Sequence, residues 1–293
     1  MTAALSGATI DAGRPAPDPG GRPGRVRRTS PRNTLTPGAG LGLGIAMLWF
    51  SLLVLVPLAA IVAAAAAGGW ANYVDVLTDP QTWNALKLTV VQAALVTVVN
   101  IVMGTIIAWV LVRDRFPGKT VLNVVIDIPF ALPTVVAGLV LLALYGPNSP
   151  IGLHWAFTEK SVALALAFVT LPFIVRTVQP VLEELEADVE EAAASLGAKR
   201  GTIFRRILLP SLVPAITAGA ALSFARAISE YGSLVLLSGN RPNETEVASV
   251  RMLSFIENGS YASAAAVASV MLAVALFVIV VLDIVQRRVA RRG

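Results

Sequence analysis

Few side chains in this sequence have the types and spacing that covalent chemistry requires. The chain has no cysteine and a single histidine, His154, which excludes thiol nucleophiles and Cys-ligated metals. Gly118-Lys119-Thr120 imitates the end of a phosphate-binding loop, but Arg113 stands where that loop requires a glycine. The sequence also lacks an acid, a base and a nucleophile that could form one catalytic site. We therefore predict that the chain is not an enzyme, holds no cofactor or metal, and binds no nucleotide.

Three ionisable residues lie within apolar stretches of the sequence: Asp127, Arg226 and Glu230. A charged side chain that faces lipid at the bilayer centre costs about 3 kcal/mol, so each is expected to face the protein interior or an aqueous path. Arg226 and Glu230 are four residues apart, which places them on one face of a helix. Pro133, followed by Thr134, removes a backbone donor from another apolar stretch and predicts a kink there.

The composition decides the class of protein that positions these residues. With 56% hydrophobic residues, 14% charged residues and a mean hydropathy of +0.73, the chain is an integral membrane protein. Apolar stretches near the roughly 20 residues that a helix needs to cross a bilayer predict an all-α fold with six transmembrane helices. The predicted spans are about 41–67, 87–112, 121–146, 159–180, 210–238 and 262–284.

The distribution of basic residues predicts how the spans are oriented. Of the 23 Lys and Arg residues, 18 lie in the N-terminal tail, the second and fourth connections and the C-terminus. Because basic residues concentrate on the cytoplasmic side, both termini are predicted to be cytoplasmic and the protein to be multi-pass in the cell membrane. Residues 1–36 are predicted to be a disordered cytoplasmic tail, and 37–293 the transmembrane domain. Basic residues in short stretches between apolar runs do not indicate nucleic-acid binding.

The fourth connection is longer than a turn between two membrane helices requires. Its length predicts a cytoplasmic hairpin of two helices over about 181–209. Leu182, Leu185 and Leu196 follow helical spacing, while glutamates take the other positions, and Gly197 has the place of a C-cap. An acidic face is repelled by an anionic membrane surface, which favours a protein partner. A structural helix lying at the membrane surface is the alternative.

The hairpin carries a recognisable motif. Glu191-Ala192-Ala193, three residues, Gly197, nine residues and Ile207-Leu208-Leu209-Pro210 resemble the EAA signature of ABC importer permeases. In that family the hairpin is a coupling helix that sits in a cleft of the ATP-binding subunit, so the resemblance implies a type I ABC importer permease-like fold. It also implies that the residues coupled to the ATPase are Glu190, Glu191, Ala192, Ala193, Leu196, Gly197, Ile207, Leu209 and Pro210.

Further segments resemble the sulfate/thiosulfate permease of the T type: 115–119, 127–134, 172–185, 222–226, 230–232 and 245–247. The resemblance covers roughly 41–290 and implies an ATP-driven importer subunit for sulfate or thiosulfate. It implies as partners a second homologous permease, two cytoplasmic ATP-binding subunits and an extracytoplasmic sulfate-binding protein.

Under this resemblance the ionisable residues have two interpretations. Arg226 and Glu230 form a pair that neutralises itself, or Arg226 contacts the passing anion while Glu230 holds it in place. Asp127 repels sulfate and is expected to be a structural or gating partner. With Pro133 and Thr134, these residues are the candidates for the translocation path or gate.

Two other functions stay open at this point. A permease for molybdate or another oxyanion is an alternative because selectivity is weakly encoded along a path. An ion-coupled secondary transporter belongs to another class and predicts internal repeats and a relay of carboxylates, neither of which the sequence shows.

Overall fold

The computed structural model describes residues 37–185 and 187–290, and every regular element in these ranges is a helix. The helices are α1 Pro37–Phe50, α2 Val56–Ala67, α3 Gly69–Thr78, α4 Pro80–Arg113, α5 Lys119–Ala131, α6 Thr134–Tyr145, α7 Glu159–Glu184, α8 Ala187–Ser195, α9 Arg200–Ile203, α10 Leu209–Ile228, α11 Gly232–Leu237, α12 Ala248–Glu257 and α13 Tyr261–Ala290. Two π-helical turns, Ser51–Leu55 and Phe204–Leu208, precede α2 and α10. The predicted tail, 1–36, lies outside the described residues.

The chain divides into two compact units, Met1–Leu52 and Leu53–Gly293. Of the described residues, the first unit holds α1 and the beginning of the first π-helical turn, and the second holds all that follows. The helices from α2 onward, which include all those of the candidate site, belong to the second unit.

Five helices in the described residues are long and apolar enough to cross a membrane: Gly38–Ala67, Pro80–Arg113, Glu159–Glu184, Gly201–Ile228 and Tyr261–Arg288. A sixth span requires α5 and α6 to be taken together, and these two helices meet at an angle of 117°. Among the described residues, the structure therefore has five candidate spans, or six where α5 and α6 are counted as one bent span.

The break between α5 and α6 follows from Pro133. A proline pushes the residue before it out of the helical region, and Leu132 is extended, with φ −84° and ψ 134°. α5 therefore ends at Ala131, and α6 begins at Thr134 in a new direction. The kink predicted at Pro133 within 121–146 is in fact a complete interruption of the helix.

Three long helices, α4, α7 and α10, pack together at the centre of the second unit, and α13 packs against α10. Lipid is as apolar as a leucine side chain, so close packing, and not transfer out of water, holds such helices together. One cluster of buried residues lies at the ends of α4 and α7 and the beginning of α10, and includes Leu111, Val175, Leu182 and Leu212. A second cluster joins α4, α7 and α10 to α11, α12 and α13, and includes Leu166, Phe224, Leu234, Val247 and Met271.

Two predicted elements have different bounds in the structure. The predicted fifth span, 210–238, is α10 followed by the separate short helix α11, because the chain leaves the helical conformation around Glu230. The amphipathic helix predicted to contain Leu182 is also divided. α7 continues to Glu184 and Leu185 is extended, so Leu182 is a fully buried core residue of the bundle and not part of a surface helix.

Candidate functional site

The hairpin between α7 and α10 consists of α8 and α9, with a tight turn between them. Gly197 has φ +83°, a left-handed conformation that only glycine adopts without strain. Its N–H donates to the Ala194 carbonyl at 2.9 Å, and the Ala198 N–H donates to the Ala193 carbonyl at 3.1 Å. These are the two hydrogen bonds of a Schellman motif. The C-cap predicted at Gly197 is therefore present.

The surface of the hairpin is open to solvent. Glu191 and Ala192 are exposed on α8, Ala193 is half-buried, and Leu196 beside the turn is 89% exposed. The backbone of Glu190 lies in α8. A leucine this exposed, directly after the short helix that carries the exposed Glu191, is a contact available to another protein.

The last predicted coupling residues join the hairpin to the membrane helix α10. Ile207 lies in the second π-helical turn and Leu209 begins α10, and both are half-buried, while Pro210 is exposed in the first turn of α10. A proline clashes with the carbonyl four residues before it, and the π-helical turn, in which the Leu209 N–H donates to the Phe204 carbonyl, accommodates this. The buried member of this segment is Leu208.

Arg226 and Glu230, predicted as a pair on one helix face, form an ion pair of 2.6 Å between Nη2 and Oε2. Glu230 lies beyond the last residue of α10 and is 1% exposed. Its other oxygen, Oε1, accepts hydrogen bonds from the Ser233 backbone N–H at 2.9 Å and the Ser233 hydroxyl at 3.0 Å. The carboxylate therefore satisfies donors in the first turn of α11 as a capping side chain does.

Asp127 has a partner that the sequence did not reveal. Arg176 of α7 donates from Nε to Asp127 Oδ1 at 2.7 Å and from Nη2 to Oδ2 at 2.6 Å. Its remaining N–H groups donate to the side-chain and backbone oxygens of Asn123 and to Gln179 Oε1. All five donors of this guanidinium are used. The pair fastens α5 to α7, and no local spacing pointed to it because the residues are 49 positions apart.

Pro133 and Thr134 lie at the beginning of α6, where this helix packs against α11. A Cβ added to Gly232 of α11 would overlap the Thr134 hydroxyl and approach the Val135 backbone nitrogen to 3.0 Å. The two short helices therefore pack through a contact that only a glycine permits. Because Gly232 follows Glu230 closely, the structure brings Thr134 and the Arg226–Glu230 pair to neighbouring segments.

At the end of α4 far from the hairpin, Asp79 caps α4 by accepting hydrogen bonds from the Thr82 N–H and hydroxyl, both at 2.9 Å. Arg251 of α12 donates to the same oxygen at 3.0 Å. Burial raises the pKa of Asp79, but the Thr82 hydrogen bonds and the Arg251 charge together outweigh burial and hold this pKa below its ordinary value. Asp79 therefore links α4 to α12 through its ion pair with Arg251.

A family model for the binding-protein-dependent transport system inner membrane component matches residues 100–292. The chain belongs to this family. The matched segment includes the hairpin, the Asp127–Arg176 pair and the Arg226–Glu230 pair, so the predicted coupling and path residues all lie within it.

Relatives and solved structures agree with this assignment. The sulfate transport system permease proteins CysT of Salmonella typhimurium and Escherichia coli K12 are each 43% identical to this chain, over 87% of it and 95% of their own lengths. CysT of Synechocystis is 40% identical over 83% of the chain and 87% of its own length. A chain of a bacterial ABC transporter involved in the import of the acidic polysaccharide alginate superposes with a TM-score of 0.71 at 16% identity, over 85% of this chain and 94% of that chain. That likeness shows the fold.

The prediction of an ABC importer permease is therefore confirmed, as is the resemblance to the sulfate permeases. The protein is a multi-pass membrane permease of the binding-protein-dependent class. Of its predicted path residues, the structure pairs Arg226 with Glu230 and places Thr134 against Gly232, whereas Asp127 is held separately by Arg176.

Proposed function

We propose that this permease translocates sulfate or thiosulfate as the membrane subunit of an ATP-driven importer. The observation that carries the proposal is the 43% identity to sulfate transport system permeases over 95% of their length. The similarity extends over 87% of this chain, so it is not confined to the hairpin.

Sulfate import requires an energy source outside this chain. Moving a charge against an inside-negative potential costs about 2.3 kcal/mol per 100 mV, and sulfate carries two charges. The sequence has no phosphate-binding loop, because Arg113 replaces its first glycine. The ATP is therefore hydrolysed on a separate subunit, and this chain transmits the movement.

The hairpin is the surface on which that ATP-binding subunit docks. The exposed Glu191 and the exposed Leu196 offer a charge and an apolar contact on the same hairpin. The Schellman turn at Gly197 fixes the angle between α8 and α9, so a push on the hairpin reaches α10 through Pro210. Glu190, Glu191, Ala192, Ala193, Leu196, Gly197, Ile207, Leu209 and Pro210 keep their coupling roles in this proposal.

The full importer contains more chains. A second homologous permease completes the path, two ATP-binding subunits lie beneath the hairpins, and an extracytoplasmic sulfate-binding protein delivers the substrate. The hairpin and both termini then lie on the cytoplasmic side, as the concentration of Lys and Arg in these segments favours.

Within the path, Arg226 is the side chain that contacts the anion. It is 29% exposed, and among the described residues its only polar contact is with Glu230. Arginine recognises tetrahedral oxyanions through paired N–H donors, and Arg226 has donors left for this purpose. Arg176, in contrast, uses all five of its N–H donors on Asp127, Asn123 and Gln179. Asp127 therefore keeps its role as a structural or gating partner in this proposal.

Radiolabelled sulfate uptake in cells that lack this chain tests the proposal. Reintroducing the chain should restore uptake, unlabelled thiosulfate should compete, and depletion of ATP with the membrane potential intact should abolish transport. Competition by molybdate but not by thiosulfate would replace the substrate with another oxyanion. Collapse of uptake under an uncoupler alone, with ATP maintained, would indicate ion coupling and contradict the proposal.

A further inference from the structure

Both ends of the coupling hairpin are fastened to the same turn of α4. Within the hairpin, α8 packs mainly against α9, and the turn between them is exposed. Leu185 is the last described residue before the hairpin, and Phe204 is the residue after α9. Each of these two residues contacts a side chain near the last turn of α4.

The first contact is a hydrogen bond at the end of α7. Arg113, the last residue of α4, donates from Nη2 to the Leu185 carbonyl at 3.2 Å. The last carbonyls of a helix have no partner within it, so a basic side chain satisfies this group while fixing its position. Arg113 thus holds the point at which the chain leaves α7 for the hairpin.

The second contact is aromatic. Trp109 lies four residues before Arg113 and on the same face of α4. Its ring meets the Phe204 ring edge to face, with centroids 5.9 Å apart and an interplanar angle of 72°. The Arg113 guanidinium carbon lies 5.9 Å from the centroid of the Trp109 ring, within the range of a cation–π interaction. A continuous row therefore runs from Leu185 through Arg113 and Trp109 to Phe204.

We propose that Trp109 and Arg113 are positioning residues that transmit movement of the hairpin to α4. This inference rests on the proposed function, because the force comes from an ATP-binding subunit docked on the hairpin. Attachment at two points prevents the hairpin from turning independently of α4. α4 is 34 residues long, packs against α7 and α10, and begins beside the Asp79–Arg251 ion pair at the opposite end of the bundle.

The consequence is a second route for coupling. Through Pro210 the hairpin moves α10, and through Trp109 and Arg113 it moves α4 at the same time. Coordinated displacement of two packed helices is the kind of rigid-body change that switches a bundle between two arrangements. Without the second route, the hairpin would move α10 while α4 stayed in place.

The test uses the complete importer in proteoliposomes, with its ATP-binding subunits and binding protein. Trp109→Ala and Arg113→Gln should each lower both the ATPase stimulated by the sulfate-loaded binding protein and the sulfate uptake by about fivefold or more. The amount of co-purified ATP-binding subunit should stay unchanged. Trp109→Phe and Arg113→Lys keep the aromatic edge and the cation, and should restore most of the stimulation.

Two matched controls lie on the same chain. Trp83→Ala removes a tryptophan that is 59% exposed near the other end of α4, and Arg115→Gln removes an exposed arginine two residues beyond α4. Neither should alter coupling.

Three results would overturn the inference. Normal stimulation and uptake in Trp109→Ala, with the ATP-binding subunit still bound, would contradict transmission through α4 and leave the proposed function intact. Loss of the ATP-binding subunit from this variant would show that Trp109 builds the docking surface instead. Failure of the unmodified hairpin to cross-link to the ATP-binding subunit would remove the proposed function together with this inference.

Discussion

Arg226 and Glu230 form an ion pair whose two members differ in exposure: the arginine side chain is 29% exposed and the glutamate side chain 0%. The other carboxylate oxygen of Glu230 accepts two hydrogen bonds from Ser233, which fix the carboxylate to the beginning of α11. Arg226 is therefore oriented by a fixed carboxylate while part of its side chain stays exposed. This arrangement suits a weak, transient contact with a passing anion better than a tight binding site.

The first prediction concerns this pair. Arg226→Gln should lower sulfate uptake by about tenfold or more, because the variant removes the positive charge and the paired guanidinium donors that we propose to contact the anion. It also leaves Glu230 as a buried carboxylate without its counter-ion, a change that typically costs about 3–5 kcal/mol of stability. Sulfate uptake must therefore be measured together with the amount of protein inserted in the membrane.

The double variant Arg226→Gln/Glu230→Gln separates the two effects. It removes both charges, so no buried carboxylate is left without a counter-ion and insertion should recover. Uptake should stay low if Arg226 contacts the anion. Recovery of both insertion and uptake would assign the pair a purely structural role.

The second prediction concerns Arg176 and Asp127. Arg176→Lys should lower the unfolding temperature in detergent, because a lysine cannot reproduce the five hydrogen bonds that fasten α5 to α7. Because the Arg176 side chain is 30% and the Asp127 side chain 48% exposed, solvent screening limits the loss to about 1 kcal/mol. Arg115→Gln is the matched control, since this arginine is exposed outside α4 and α5. An unchanged unfolding temperature with abolished uptake would instead make Arg176 a substrate contact.

The features predicted correctly from the sequence depend on local rules. The lengths of the apolar stretches gave the spans, and the motif around Gly197 gave the turn of the hairpin, whose left-handed φ is a property of that residue. The Arg226–Glu230 pair was visible because four residues complete about one helical turn. Each of these features needs only neighbours in the chain.

The features that were missed depend on how distant helices pack. Leu182 looked like part of an amphipathic surface helix because its spacing continues into α8, but the break at Leu185 places it in the core. Arg176 could not be matched with Asp127 because the sequence does not specify which faces of α5 and α7 meet. The break of α10 near Glu230 was signalled only by Gly232, and was missed because the apolar run continues past it.

The third prediction tests the contact between α6 and α11. Gly232→Ala should lower stability and sulfate uptake, because the added methyl group overlaps the Thr134 hydroxyl and lies 3.0 Å from the Val135 backbone nitrogen. Gly201→Ala is the control, since its Cβ would meet no heavy atom within 4 Å. Thr134→Ala added to Gly232→Ala should recover only part of the loss, because the backbone contact remains. Normal stability of Gly232→Ala alone would contradict the close packing.

The fourth prediction concerns the turn of the hairpin. Gly197→Arg should leave the protein inserted but abolish pull-down of the ATP-binding subunit, because the left-handed conformation costs a residue with a Cβ about 1–2 kcal/mol and a large cation enters the docking surface. Gly197→Ala carries the backbone strain alone and should weaken the pull-down less. Retained binding and normal transport in Gly197→Arg would contradict the docking role of this turn.

The fifth prediction is a pH dependence at the opposite end of the bundle. The folded protein lowers the pKa of Asp79, so ionised Asp79 stabilises the fold above its unfolded pKa, and this contribution is lost as the pH falls through the lower, folded pKa. Asp79→Asn keeps the helix cap but removes the charge that faces Arg251. Its unfolding temperature in detergent should lie below that of the unmodified protein at pH 7, and the two should converge under strongly acidic conditions.

The Asp79 side chain is 37% exposed, so screening limits the difference to about 1 kcal/mol or less. Asp75→Asn replaces an exposed aspartate four residues earlier and is the matched control, and parallel curves for Asp79→Asn and the unmodified protein would contradict the pairing.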